Sequence, residues 1–207
     1  MSEIFPGIPV WSEEDATRAD RRPARYWLID PIDGTASWYD GFAGFVTQGA
    51  FFEKGRPVYG VIHAPAFGMT WTGETGKGAW RNRCALERLH PSERRVLTDN
   101  TPEPHGFAAR LMEPLRITAY RESGSLGLKS VLVADGTADL FVKNVAIRDW
   151  DVAPAAVILA EVGGRLTGLS GEEWDYAGGL EKTGGLIVAR DDALLAEAVA
   201  AVRGLTV

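Results

Sequence analysis

Between residues 26 and 35 the chain changes character abruptly: the apolar run Tyr26-Trp27-Leu28-Ile29 stops at Asp30-Pro31-Ile32-Asp33-Gly34-Thr35. Four large apolar residues ended by Asp-Pro read as a short buried strand, since the residue before a proline is biased toward extended backbone. Two carboxylates three positions apart, with a rigid proline between them, then sit at a strand end and can converge on one point. Gly34 permits a tight turn, and if Thr35 opens a helical turn, the free backbone N–H groups there face an anion. The same spacing also fits a plain Asp33-Gly34 turn with Asp30 as a strand-end cap.

The rest of the chain alternates short strands with turns and a few helices. The segment up to Arg25 is loop-like, with one short helix expected after Ser12, because Pro6, Gly7, Pro9 and Pro23 punctuate it. Phe45 to Phe52 and Val58 to Ile62 read as strands joined by the turn Glu53-Lys54-Gly55-Arg56-Pro57, and Met69 to Trp71 and Gly78 to Trp80 continue that rhythm. Asn82 to Pro114 is weakly informative. Ile117 to Tyr120 reads as a strand, Leu126 to Ala134 as a helix and Ala138 to Val142 as a strand. An apolar helix follows over Asp151 to Glu161, ended by Gly163-Gly164, and an amphipathic helix covers Asp191 to Val202. This order gives an α/β protein, expected to divide into a metal- and phosphate-binding lobe over 1–115 and an α/β lobe over 116–207, packed as one compact unit.

Composition limits the partners. A formal charge of −6 over 207 residues leaves no basic footprint for a nucleic-acid polymer, so an anionic ligand must be held locally. The single Cys84 forms no intrachain disulfide, the opening residues carry no export pattern, and no stretch has the ~20 apolar residues that span a bilayer. The expectation is a cytoplasmic protein without a membrane partner.

Two further acidic positions stand out. Trp150-Asp151 heads the apolar helix, where Asp is a favoured N-cap and Pro154 is tolerated in a first turn. Ser12-Glu13-Glu14-Asp15 resembles a capping box. Both have this ordinary explanation, which does not exclude a second role. Carboxylates are hard donors suited to Mg²⁺ or Mn²⁺; a zinc site would draw on His and Cys, of which the chain has 3 and 1 without ligand-like spacing. There is no GxxxxGK[ST] loop, no GxGxxG after a strand and no nucleophile-elbow sequence.

Taken in order, Ser12-Glu13-Glu14, Trp27 to Thr35, Trp150-Asp151-Val152-Ala153-Pro154-Ala155 and Glu161-Val162-Gly163-Gly164 resemble the successive signatures of the inositol monophosphatase superfamily, its CysQ-like 3′(2′),5′-bisphosphate nucleotidases included. The resemblance runs from about Val10 to Val188. It implies the layered αβαβα sugar-phosphatase fold and a Mg²⁺-dependent phosphomonoesterase that is commonly a homodimer. Carried over by position, it implies that Glu13, Asp30, the Ile32 carbonyl, Asp33 and Asp151 ligate two or three Mg²⁺ ions, with Mn²⁺ as a substitute. Gly34 and Thr35 would hold the phosphate, and Glu13 with the Thr35 hydroxyl would orient the attacking water, with no covalent phosphoenzyme.

Ser125, Lys129 and Lys143 would border the non-reacting part of a small phosphorylated metabolite. The two lysines suit a second phosphate, whereas Asn144 stands where inositol monophosphatases carry a Glu for sugar hydroxyls. This favours a bisphosphate nucleotide over an inositol monophosphate; the alternative for both lysines is a solvated surface charge. The family pattern also places two helices ahead of the Glu-Glu motif, so Glu13 near the start implies an N-terminally truncated version of the fold. A catalytically inactive homologue that keeps the ligands for metal and phosphate is the competing functional reading.

Overall fold

The computed structural model describes residues 5–15 and 21–205. A seven-stranded sheet runs in sequence order: β1 (Val10–Ser12), β2 (Arg25–Asp33), β3 (Val46–Glu53), β4 (Arg56–Ala64), β5 (Met69–Glu74), β6 (Gly78–Arg81) and β7 (Cys84–Ala85). Only β1 and β2 pair in parallel; the others form an antiparallel meander. The β3–β4 turn uses Lys54 and Gly55 at φ 49° and 81°, the left-handed pair that a two-residue hairpin requires.

The second sheet has five strands in the order β12 (Arg165–Thr167), β14 (Leu186–Ala189), β10 (Leu140–Lys143), β8 (Val96–Asp99) and β9 (Ala119–Glu122). Two helices separate the sheets. α3 (Leu126–Ala134) and α4 (Asp149–Val162) pack on each other; α4 lies across β3 to β6, and α3 reaches β10 and β14. Trp71, Ile62, Val131, Phe141 and Ile158 fill this space and are fully buried. On the far side of the second sheet, α2 (Gly106–Leu111) and α5 (Asp192–Leu205) bury Leu97, Leu111, Leu140 and Ile187. The described residues therefore stack as sheet, helices, sheet, helices, a layered α/β sugar-phosphatase fold. A small third sheet pairs β11 (Ile147–Arg148) with β13 (Glu181–Lys182) beside the start of α4.

Several boundaries differ from the sequence reading. β2 continues through the motif to Asp33, because the strand absorbs Pro31 in a bulge. α4 begins at Asp149, so Asp151 is the third helical residue and Pro154 the sixth, one turn deeper than a first-turn proline. The stretch 82–114 holds β8 and α2, and β12 and β14 follow α4, where the sequence suggested no strand. Glu13 and Glu14 form a turn; the rest of the helix expected after Ser12 falls on residues 16–20, outside the described residues.

Candidate active site

The bulge builds the site. Asp30 pairs with Gln48 and Asp33 with Val46, so three steps on β2 match two on β3. Strand side chains alternate faces, so residues three apart normally point to opposite sides; the extra residue restores Asp33 to the face of Asp30. Asp30 caps the bulge itself, its Oδ1 accepting the Ile32 N–H at 3.0 Å. Thr47 Oγ1 secures the bulge from β3 by donating to the Pro31 carbonyl at 2.8 Å.

Asp151 arrives from the first turn of α4. Its Oδ2 accepts the Arg148 N–H at 2.8 Å, so the same carboxylate steadies the helix start and faces the β2 acids. Oxygens of Asp30, Asp33 and Asp151 all lie within 4.8 Å of one another. Glu13 follows β1 directly, and its N–H donates to the Ile29 carbonyl at 3.1 Å, which sets it beside Asp30. It stands outside the tight trio, but its charge contributes to raising both Asp30 and Asp151.

Asp30 and Asp33 are buried and Asp151 is half-buried, and desolvation is the largest reason each of these three holds its proton above the ordinary carboxylate range. Asp30, 2% exposed, is pushed up to about 9, with Asp33, Glu13 and Asp151 adding repulsion. Asp151 is pushed up to about 7 by burial and then by Asp33. Asp33 rises less, to about 6, because N–H donors and the nearby Lys129 offset its burial. Its Oδ2 accepts the Gly127 N–H at 2.7 Å and the Gln48 side-chain amide at 3.0 Å. A cluster of buried, mutually repelling oxygens is unfavourable as three anions and well matched to a hard divalent cation, which passes the chemical test for Mg²⁺ or Mn²⁺.

Gly34, at φ 87°, turns the chain from β2 into α1 (Thr35–Tyr39), and a Cβ there would approach Ser125 Cβ to 3.0 Å. Thr35 does open a helical turn, and its Oγ1 donates to the Ile32 carbonyl at 3.1 Å. Ser125 is buried as the N-cap of α3, its Oγ accepting the Leu128 N–H at 3.1 Å. Lys129 is not a surface charge: it is 1% exposed, burial lowers it to about 7, and its ammonium donates to Asn100 Oδ1 and the Gly124 carbonyl. Lys143, half-buried, pairs with Asp99 at 2.6 Å. Gln48 and Gly127 escaped the sequence reading. A lone amide inside the apolar run Phe45 to Phe52 was the available signal for Gln48; Gly127 carries none, since only its N–H acts.

The profile of the Inositol monophosphatase family matches residues 1–205. This chain belongs to that family. It is 32% identical over 186 residues to the 3′(2′),5′-bisphosphate nucleotidase CysQ of Aggregatibacter actinomycetemcomitans, spanning 85% of this chain and 69% of the relative. Against the fructose-1,6-bisphosphatase/inositol-1-monophosphatase of Thermotoga maritima the identity is 34% over 178 residues, spanning 84% and 67%. The solved IMPase structure from Thermotoga maritima superposes with a TM-score of 0.80 at 28% identity, covering 99% of this chain and 79% of that one. Family membership together with the acidic trio makes the chain a metal-dependent phosphatase. Among the described residues no helix is long and apolar enough to cross a membrane.

Proposed function

We propose that this family member hydrolyses a small phosphate monoester, a 3′(2′),5′-bisphosphate nucleotide ahead of an inositol monophosphate, using two or three Mg²⁺ ions. The carrying observation is the convergence of Asp30, Asp33 and Asp151, two buried carboxylates and one half-buried, whose oxygens share one small volume. Together with Glu13 and the Ile32 carbonyl they would hold the ions, which when bound supply positive charge to the phosphoryl group and the leaving oxygen.

The remaining work falls to the chain. Gly34 and Thr35 present first-turn N–H groups to the phosphate, where the turn leaves donors without intrahelical partners. The Thr35 hydroxyl, with its proton given to Ile32 O, is free to accept a hydrogen bond from the attacking water. Glu13, whose backbone is held beside Asp30, would take the other proton of that water as it attacks. Water attacks phosphorus in line with the ester oxygen, that bond breaks, and the alcohol leaves with a proton from solvent. Ser125, Lys129 and Lys143 border the substrate's far end, and the two cations support a second anionic group. Exposed Trp38, Tyr39, Phe42 and Phe67 support a homodimer as the working form.

Phosphate release from adenosine 3′,5′-bisphosphate, inositol 1-phosphate and fructose 1,6-bisphosphate, with and without Mg²⁺, tests this reading. Mg²⁺-dependent release that is fastest on the first and abolished by Asp33→Asn is expected. Wild-type rates in a folded Asp33→Asn variant would remove the site.

A further inference from the structure

Gln48 is a polar side chain set in an apolar layer. It lies on β3 directly opposite Asp30 of β2, is flanked on its other side by Ile62 of β4, and is 2% exposed. Its Nε2 donates to Asp33 Oδ2 at 3.0 Å and, less closely, to the Asp151 carbonyl at 3.4 Å. A backbone carbonyl only accepts, so the amide must turn its N–H₂ end that way. One side-chain group therefore spans from the end of β2 to the first turn of α4. The other end of the amide, Oε1, is buried against Gly127, where a Cβ would come within 2.2 Å, and no described residue donates to it.

Folding alone does not account for this residue. A buried acceptor without a donor costs stability, and an unbranched apolar side chain of similar volume would fill the space without that cost. What the apolar chain would lack is the pair of N–H donors, and these reach the two elements that carry Asp33 and Asp151. We propose that Gln48 is a positioning residue whose amide ties Asp33 to the start of α4 and sets the span between Asp33 and Asp151, so that the site favours the small Mg²⁺ over the larger Ca²⁺. This rests on the metal-site reading above. Mg²⁺ demands near-ideal octahedral geometry with oxygens at about 2.0–2.1 Å, whereas Ca²⁺ accepts looser arrangements at about 2.3–2.6 Å. A held span therefore matters more to the first ion than to the second.

Two substitutions separate positioning from packing. Gln48→Met keeps the unbranched chain and removes both donors; Gln48→Asn keeps the donors and draws them back by one methylene. Calorimetric titration of metal-free protein with Mg²⁺, and separately with Ca²⁺, gives the ratio of the two affinities without turnover. Both variants should bind Mg²⁺ on the order of tenfold more weakly while Ca²⁺ affinity stays within about threefold of wild type, the scale expected when a partner that holds a ligand is lost. Gln48→Met should also keep the Tm of the metal-free protein within about 4 °C of wild type. A side chain that only filled space would give the opposite pattern: Gln48→Met would behave as wild type toward both ions, and any general loosening would lower Tm and weaken both ions alike. Wild-type protein that binds neither ion would overturn the metal site and this role with it. Wild-type protein that binds Mg²⁺, with the affinity ratio in Gln48→Met and Gln48→Asn unchanged within about twofold, would overturn the role of Gln48 and leave the metal site standing.

Discussion

The Asp33 carboxylate and the Gly127 N–H meet at 2.7 Å across 94 positions of sequence. This bond ties the end of β2 to the first turn of α3, and only glycine leaves room for it. A Cβ on residue 127 would fall 2.2 Å from Gln48 Oε1 and 3.0 Å from Asp33 Oδ2. Gly127→Ala is therefore expected to displace both partners of Asp33, lowering phosphate release about a hundredfold and stability by about 1–3 kcal/mol. Gly204→Ala is the control: it meets open space in α5 and should raise stability by up to about 1 kcal/mol. Steady-state kinetics and urea denaturation of both variants provide the measurement.

If Asp30, Asp33 and Asp151 hold the metal as proposed, metal and proton compete for the same oxygens. Asp30, Asp33 and Asp151 stay protonated in the folded, metal-free protein up to about 9, 6 and 7, whereas the unfolded chain releases those protons near about 3.9. The native state thus binds more protons than the unfolded state, so their contribution is fully present below about pH 4 and is lost as pH rises through the folded values. Each such group contributes a slope of up to about 1.4 kcal/mol per pH unit. In chelator, Tm should fall between about pH 5.5 and 8.5, and Asp30→Asn should flatten that fall. Excess Mg²⁺ should restore more Tm at the higher pH; equal restoration at both would contradict the assignment.

Legibility in the sequence followed the range of the interactions involved. α3, α4 and α5 were readable because each has its own apolar pattern and a local stop, such as Gly163 at φ 86° after α4. β8 was not, since Val96-Leu97-Thr98-Asp99 is buried on every residue and shows no alternation for a pattern reading to detect. β14 offered the unbroken run Leu186-Ile187-Val188-Ala189, a signal that a search for alternation passes over. Asp30, Asp33 and Asp151 could be suspected one by one, but their convergence needs a bulge and a helix start that only tertiary packing supplies. Lys129 shows the converse: nothing local distinguishes a lysine that ends up inside the core.

The start of α4 depends on a pair buried beneath it. Arg22 donates to Asp149 Oδ2 at 2.5 Å, and Trp174 Nε1 donates to its Oδ1 at 3.0 Å, with the Asp149 side chain fully buried. Arg22→Met leaves that carboxylate without its countercharge and should cost about 3–5 kcal/mol. Asp149→Asn in the same chain should recover part of the loss, because the charge to be compensated is gone. Asp149 lies two residues before Asp151, so the single variant should also weaken Mg²⁺ binding, measured by calorimetry. Wild-type stability in Arg22→Met would show that the pair contributes nothing.

Gly60 of β4 and Gly73 of β5 are register partners, and together they form the bare strip on which α4 lies. A Cβ on Gly60 would sit 2.2 Å from the Pro154 carbonyl oxygen, and one on Gly73 would sit 2.9 Å from Ile158 Cα. Both contacts are with helix backbone, which cannot turn aside as a side chain does, so a methyl there pushes away the part of the helix it meets. Gly60→Ala should therefore lower stability by about 2–3 kcal/mol. It should also weaken Mg²⁺ binding, since Pro154 is three residues past Asp151 and that proposed ligand moves with the helix. Gly73→Ala acts a turn further along α4 and should cost comparable stability with a smaller loss of Mg²⁺ affinity. Thermal melts paired with Mg²⁺ titrations separate the two effects; equal Mg²⁺ affinity in both variants would mean that α4 rises as a rigid rod rather than tilting at its N-terminal end.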